Sequence, residues 1–210
     1  MADKEEYFDL VDEEDRVIGQ ELRSVVHRKG LLHRAVYVWV FRPDGRLLIQ
    51  QRSPDKKIGP SQWDLSVAEH LQPGESFLQG AARGLSEELG ISVPTSELAG
   101  PLAPTHRREL HARDFHDVEL VQSFRLEGYS GEVQLDEAEV AAVEWVALSE
   151  LRRRAEAQPG QFTQWFLDEV SSLAWFEADG RQGAAAAGQT AAGRMQVGPS
   201  QASEQLMTSA

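Results

Sequence analysis

Cysteine is absent from all 210 residues. That excludes disulfides, a thiolate metal site and a cysteine nucleophile. No run of apolar residues approaches the roughly 18 that a membrane-crossing helix needs, so no membrane partner is expected. Basic residues are in short supply: 21 Lys and Arg face 34 Asp and Glu, a formal charge of -13. A chain this acidic is poorly suited to a phosphate backbone, which argues against a nucleic acid polymer. Small phosphorylated ligands stay open, because a bound divalent cation offsets repulsion locally. The opening stretch MADKEEYFDLVDEEDR carries no apolar targeting core, and a cytoplasmic protein is the expectation. The length suffices for one good core.

The densest information lies in residues 69 to 91, EHLQPGESFLQGAARGLSEELGI. Pro73-Gly74 signals a turn. Glu75 or Ser76 can cap a following helix. Leu78, Ala81, Ala82, Leu85 and Leu89 recur at helical spacing and define the expected buried stripe. Gly90 reads as the stop. Gly80, Gly84, Glu87 and Glu88 fall largely off that stripe. The two adjacent carboxylates suit a hard cation such as Mg²⁺; a solvated acidic helix end is the alternative.

Around this stretch the periodicities change. Tyr7 to Val11 and Val17 to Leu22 read as short strands about a turn at Asp12 to Asp15. Residues 23 to 33, with two basic clusters, read as a wrapped surface loop or an anion-facing one. Ala35 to Phe41 (AVYVWVF) is rich in β-branched and aromatic residues and predicts a central strand covered on both faces. Pro43-Asp44-Gly45 predicts a hairpin returning antiparallel through Leu47 to Gln51. Arg52 ends that strand. Its guanidinium fork can clamp a diphosphate or pair a nearby carboxylate.

Asp64 to Ala68 reads as extended chain, as do Ile91 to Val93, Leu98 to Ala103 and Val118 to Leu126. Residues 105 to 116 read as a polar connection, either substrate-facing or solvated. It holds His106, His111 and His116 at five-residue intervals. That interval aligns on neither a helix nor a strand face, so these histidines are not expected to form a zinc cluster. Glu137 and Glu139 precede a strand with Val143, Trp145 and Ala147 on one face. Helices are expected over 148 to 157 and roughly 161 to 175. Residues 179 to 210 lack aromatics and are rich in Gly, Ala, Gln and Ser. They are expected to be a flexible low-complexity tail after a folded domain of residues 1 to 178.

Residues 69 to 91 resemble the signature box of Nudix hydrolases. Glu75, Arg83, Leu85, Glu87, Glu88, Gly90 and Ile91 match seven of its nine specified positions. HRAVYVWVF, LLIQQRSPDKK and WDLSVAEHLQPGE resemble the branch with isopentenyl-diphosphate isomerase-like members. The resemblance covers about residues 5 to 175. It implies an α/β/α sandwich with a mixed sheet. It also implies Mg²⁺- or Mn²⁺-dependent hydrolysis of a small-molecule diphosphate, such as a nucleoside diphosphate derivative.

On this resemblance Glu69, Glu87 and Glu88 are the expected metal ligands, and Glu87, Glu88 and Glu139 the catalytic set. Arg52 is the expected phosphate contact, and Glu75 and Arg83 tie loop to helix. Two positions depart from the box. Glu69 stands where glycine is usual, and Gly84 where a glutamate binds metal or activates water. A helix-interior glycine also costs about 1 kcal/mol. Isomerases of the branch use a cysteine opposite a glutamate, and this chain has none. A catalytically weak domain that binds a nucleotide or protein is therefore the alternative. The N-terminal strand and last helix are candidates for a homodimer contact.

Overall fold

The computed structural model describes residues 6–113 and 115–175. The strands are β1 (Tyr7–Val11), β2 (Val17–Leu22), β3 (Leu32–Val40), β4 (Leu47–Arg52), β5 (Trp63–Asp64), β6 (Val67–His70), β7 (Leu98–Ala99), β8 (His106–Ala112), β9 (Phe115–Leu126) and β10 (Val140–Val146). The helices are α1 (Arg23–Lys29), α2 (Phe77–Leu89), α3 (Leu148–Ala157) and α4 (Gln164–Ser172).

Strand β3 decides the layering. Successive side chains on a strand point to opposite faces, and here both faces are apolar. Ala35, Tyr37 and Trp39 pack with Leu151 of α3 and Trp165, Phe166 and Val170 of α4. Val36, Val38 and Val40 pack with Phe77, Ala81, Leu85 and Leu89 of α2. The result is an α/β/α sandwich. Its main sheet runs β6-β3-β9-β7, with β8 also on β9. The sheet is mixed, because β3 runs parallel to β9 and antiparallel to β6.

A second sheet, β10-β4-β5, continues the middle layer. Leu47 and Ile49 point toward α3 and α4, and Leu48 toward α2. Buried Ser66 ties the two sheets together. Its hydroxyl donates to the Leu48 carbonyl at 2.6 Å and accepts from the Val40 amide at 2.9 Å.

Helix α2 begins at Ser76, which forms a capping box with Gln79, and ends at Gly90 with φ 65°. These caps settle both ends of the helix chemically.

Several sequence expectations need correction. Residues 23 to 33 are not a loop: they form α1 and the start of β3. Residues 105 to 116 are not a connection but the hairpin of β8 and β9. Strand β4 leaves the Pro43–Gly45 turn for the other sheet, keeping only a Phe41–Leu47 bridge, because its partners are β10 and β5. Residues 91 to 93 are not a strand, and only Leu98–Ala99 of 98 to 103 pairs. The expected last helix is split into a short 3₁₀ turn at Pro159–Gln161 and α4. On α2, Leu78 faces solvent while Gly80, Gly84 and Glu88 are buried. The two glycines let β3 and β6 approach that helix closely, so its buried face is wider than the apolar stripe. The expected tail at 179 to 210 lies outside the described residues. Among the described residues, no helix is long and apolar enough to cross a membrane.

Candidate functional site

Strand β6 delivers two adjacent residues to two different places. Glu69 lies opposite Val36 and His70 opposite Ala35, so Glu69 turns toward α2 and His70 toward the α3/α4 side.

On the His70 side four donors converge. His27 comes from the last turn of α1, His33 from the start of β3, and Asp117 from β9. One donor atom from each, with His70, lies within 4.8 Å of all the others. The Nε2 atoms of His27 and His33 stand 3.6 and 3.4 Å from Asp117 Oδ1. Ligands about 2.1 Å from a tetrahedral ion are separated by about 3.4 Å, so this spacing suits one ion. The Nε2 atoms of His27 and His33 and Asp117 Oδ1 are buried without a hydrogen-bond partner, and His70 Nε2 faces Glu119 Oε1 at 3.0 Å. Unpaired buried polar atoms are costly, and a shared cation satisfies them at once.

The protonation states fit as well. Burial, then the neighbouring His70, pushes His27 down to about 3. Burial and His33 hold His70 well below the ordinary histidine range. Neutral imidazoles are the ligand form. His33 Nδ1 lies 2.9 Å from the Leu31 carbonyl, which selects the tautomer with its Nε2 lone pair free. Phe8 stacks on His33 and His70 at 5.2 and 4.8 Å between ring centres and closes one wall.

Arg108 organises the carboxylates behind this centre. Its guanidinium donates to Glu119 Oε2 at 2.9 and 2.6 Å and to Asp117 Oδ2 at 2.7 Å. That leaves Asp117 Oδ1 and Glu119 Oε1 facing the histidines, with Glu119 Oε1 3.0 Å from His70 Nε2. Burial alone would lower the Arg108 pKa, but Glu119 and Asp117 outweigh it and hold the group above the usual range. A cavity of about 260 Å³ opens beside Arg108, lined also by His106, Trp165, Asp168 and Glu169.

On the α2 side the structure gathers another charged cluster. Arg83 donates to Glu75 at 2.8 and 3.0 Å, to Glu87 at 2.9 Å and to the His70 carbonyl at 2.8 Å. Glu69 Oε2 stands 3.3 Å from the same guanidinium. Glu88 is buried and accepts from Gln50 Nε2 at 2.9 Å. Burial, then the charge of Glu69, pushes Glu88 up to about 8. Burial likewise raises Glu69. Lys56 forms an ion pair with Glu139, and burial lowers its pKa. The cluster thus holds Glu69, Glu75, Glu87 and Glu88 around Arg83, with Glu139 at its edge through Lys56.

Arg52 turns inward. It donates to Asp64 at 3.1 Å and to the Ile58 carbonyl at 3.2 Å, and lies 5.1 Å from the centre of the Trp165 ring. Its carboxylate-pairing alternative is the arrangement found. His106, His111 and His116 do not meet: His106 pairs with buried Glu169 at 3.3 Å, and His111 and His116 pair with each other at the exposed hairpin end.

Sequence reasoning missed His27, His33, His70, Asp117, Glu119 and Arg108. They come from five elements, α1, β3, β6, β8 and β9, and no local spacing joins them. The available signal was two histidines in the segment before the predicted central strand and a third at the start of residues 69 to 91.

The mixed α/β/α sandwich, with a buried His/Asp cluster whose donors could hold a divalent cation, defines the class. A NUDIX domain model matches residues 31–166. The chain belongs to the Nudix family. It is 31% identical over 170 residues to an isopentenyl-diphosphate Delta-isomerase of Serratia proteamaculans, covering 80% of this chain and 92% of that one. It is 36% identical over 158 residues to Nudix hydrolase 3 of Arabidopsis thaliana, covering 70% of this chain but 20% of the relative. An uncharacterized Nudix hydrolase of Clostridium acetobutylicum is 42% identical over 98 residues, 45% of this chain and about half (47%) of that one. The crystal structure of a Deinococcus radiodurans protein matches with a TM-score of 0.57 at 24% identity, over 80% of this chain and 98% of that one; this likeness concerns the fold alone.

Proposed function

We propose that residues 1–178 form a divalent-metal-dependent diphosphohydrolase that cleaves a phosphoanhydride bond in a nucleoside diphosphate derivative or related organic diphosphate. One observation carries the reading: four largely buried donors, one each on His27, His33, His70 and Asp117, converge within 4.8 Å of one another. A family whose box matches at seven of nine positions supplies the reaction class.

Within this reading Glu69, Glu87 and Glu88 hold Mg²⁺ or Mn²⁺ on the α2 side, and the imidazole-rich centre takes a softer divalent ion. Bound cations supply charge neutralisation of the diphosphate and activation of water. The chain's own residues do the rest. Arg83 fixes the Glu87 rotamer, Glu75 fixes Arg83, and Gln50 orients Glu88. Glu139 positions water once Lys56 turns to the phosphates. Arg52, held by Asp64, presents positive charge from the rim of β4.

A second reading, a catalytically weak domain that binds a nucleotide or protein, draws on Gly84, which cannot supply the carboxylate usual at that position. The relatives named as isomerases raise a third. It requires an acid in place of the family cysteine, since the chain has none.

The test is a screen of nucleoside diphosphate derivatives and isopentenyl diphosphate with Mg²⁺ or Mn²⁺, measuring phosphate release and double-bond migration. Hydrolysis that Glu88→Gln lowers at least a hundredfold supports the first reading. Ligand binding without turnover supports the second, and migration without phosphate release the third.

A further inference from the structure

Glu69 and Gly84 touch. A Cβ placed on Gly84 would stand 2.8 Å from Val67 Cγ1, 3.1 Å from Glu69 Cβ and 3.4 Å from Glu69 Cγ. Val67 and the stem of Glu69 therefore fill the space that a side chain at position 84 would need. A residue larger than glycine at 84 has to displace Val67 and crowd the stem of the present glutamate at 69.

The carboxylate that this packing positions is not needed to hold Arg83. That guanidinium already donates to Glu75, Glu87 and the His70 carbonyl. Glu69 Oε1 accepts from the His70 amide at 2.8 Å, which fixes the head group, while Oε2 lies 3.3 Å from Arg83. Burial and the charge of Glu69 together push the Glu88 carboxyl above the usual carboxylate range.

An independent observation points to a ligand at the same place. Gln50 is 3% exposed, its amide nitrogen is spent on Glu88, and its Oε1 has no partner. An unpartnered carbonyl oxygen beside the buried Glu88 carboxylate offers the oxygen donors a hard cation takes.

We propose that Glu69 and Gly84 act as one transposed pair. The carboxylate completing the oxygen-donor cation site beside Glu88 and Gln50 comes from strand β6 through Glu69, and Gly84 is the notch in α2 that admits it. The inference deepens the hydrolase reading and rests on it.

The experiment uses the full chain preloaded with one equivalent of Zn²⁺, which the histidine centre takes in preference to Mn²⁺. Free Mn²⁺ is then titrated by electron paramagnetic resonance, with circular dichroism melting as the check on folding. Glu69→Gln, which keeps the packing and removes the charge, is expected to weaken Mn²⁺ binding at least tenfold, as is Glu69→Gly. Gly84→Glu alone is expected to melt lower, since its side chain meets Val67 and Glu69. The double variant E69G/G84E is expected to return Mn²⁺ affinity to within about threefold of the parent. Unchanged Mn²⁺ binding in Glu69→Gln, with binding lost in Glu88→Gln, overturns the transposed pair and leaves the hydrolase reading standing. Unchanged binding in both variants overturns the hydrolase reading itself. A folded double variant that binds no better than Glu69→Gly also overturns the pairing.

Discussion

Replacing Arg108 by methionine removes the cation that holds two buried carboxylates together. Methionine keeps most of the stem that packs near Trp165, whose ring centre lies 5.5 Å from the guanidinium carbon. It removes three charge-assisted hydrogen bonds, at 2.9, 2.7 and 2.6 Å. Asp117 and Glu119 have side chains only 7% and 3% exposed, so water cannot take over. Breaking a buried pair by deleting one partner costs about 3–5 kcal/mol. On a domain of this size that is a melting shift of roughly 10 °C.

The adjacent Arg107 is the control. Its side chain is 41% exposed and pairs with Glu13 and Glu109 on the surface, and such pairs contribute about 0–1 kcal/mol. Urea unfolding in chelator should therefore separate Arg108→Met from Arg107→Met by at least about 2 kcal/mol. Adding a divalent cation should narrow the gap, because the ion replaces the lost positive charge beside Asp117. A loss below about 1 kcal/mol for Arg108→Met, or equal losses for the two variants, would refute the account of Arg108 as the organiser of the centre.

Other consequences are as direct. Chelated protein should gain about 2.7 kcal/mol of stability when a divalent cation reaches a hundred times its Kd, and calorimetry should find that gain absent in His33→Ala. The hydrogen bond that His106 donates to Glu169 raises the histidine pKa above its ordinary 6.5. A raised folded value means the pair's stabilisation is full below about pH 6.5 and disappears as pH rises through the folded pKa. His106→Gln should thus cost more at pH 5.5 than at pH 8.5, by less than about 1 kcal/mol because the histidine is 38% exposed; equal costs would remove the pair from the stability account. Leu85→Ala should cost about 2–5 kcal/mol in urea unfolding, while Leu78→Ala, on the exposed side of the same helix, should cost well under 1 kcal/mol.

Much of the scaffold was legible because local chemistry dictated it. The β-branched and aromatic run of β3 could only be buried on both faces. Ser76, Gln79 and Gly90 bounded α2 with their own side chains or backbone freedom. The hairpin at 105 to 116 was misread for a specific reason. Arg108 within it is polar, as are Asp117 and Glu119 on the strand it pairs with, and periodicity assigns polar residues to solvent. In the fold they turn inward and neutralise one another, which no local pattern reveals. Leu78 was misassigned because the face that α2 buries is turned toward Gly80, Gly84 and Glu88, which leaves Leu78 at its edge.

The sequence by itself determined the family, the α/β/α layering and the acidic helix with its clasped arginine, since each rests on contacts within a few residues or on a contiguous motif. Only the tertiary structure decided the two centres. His33 meets Glu119 through the parallel register of β3 on β9. His70 joins them because β6 lies on the other edge of β3. Glu69, one residue earlier on the pleat, is sent to the opposite face, over Gly84. These meetings depend on strand register and helix packing across long stretches of chain, and the spacing of residues along the sequence does not encode them.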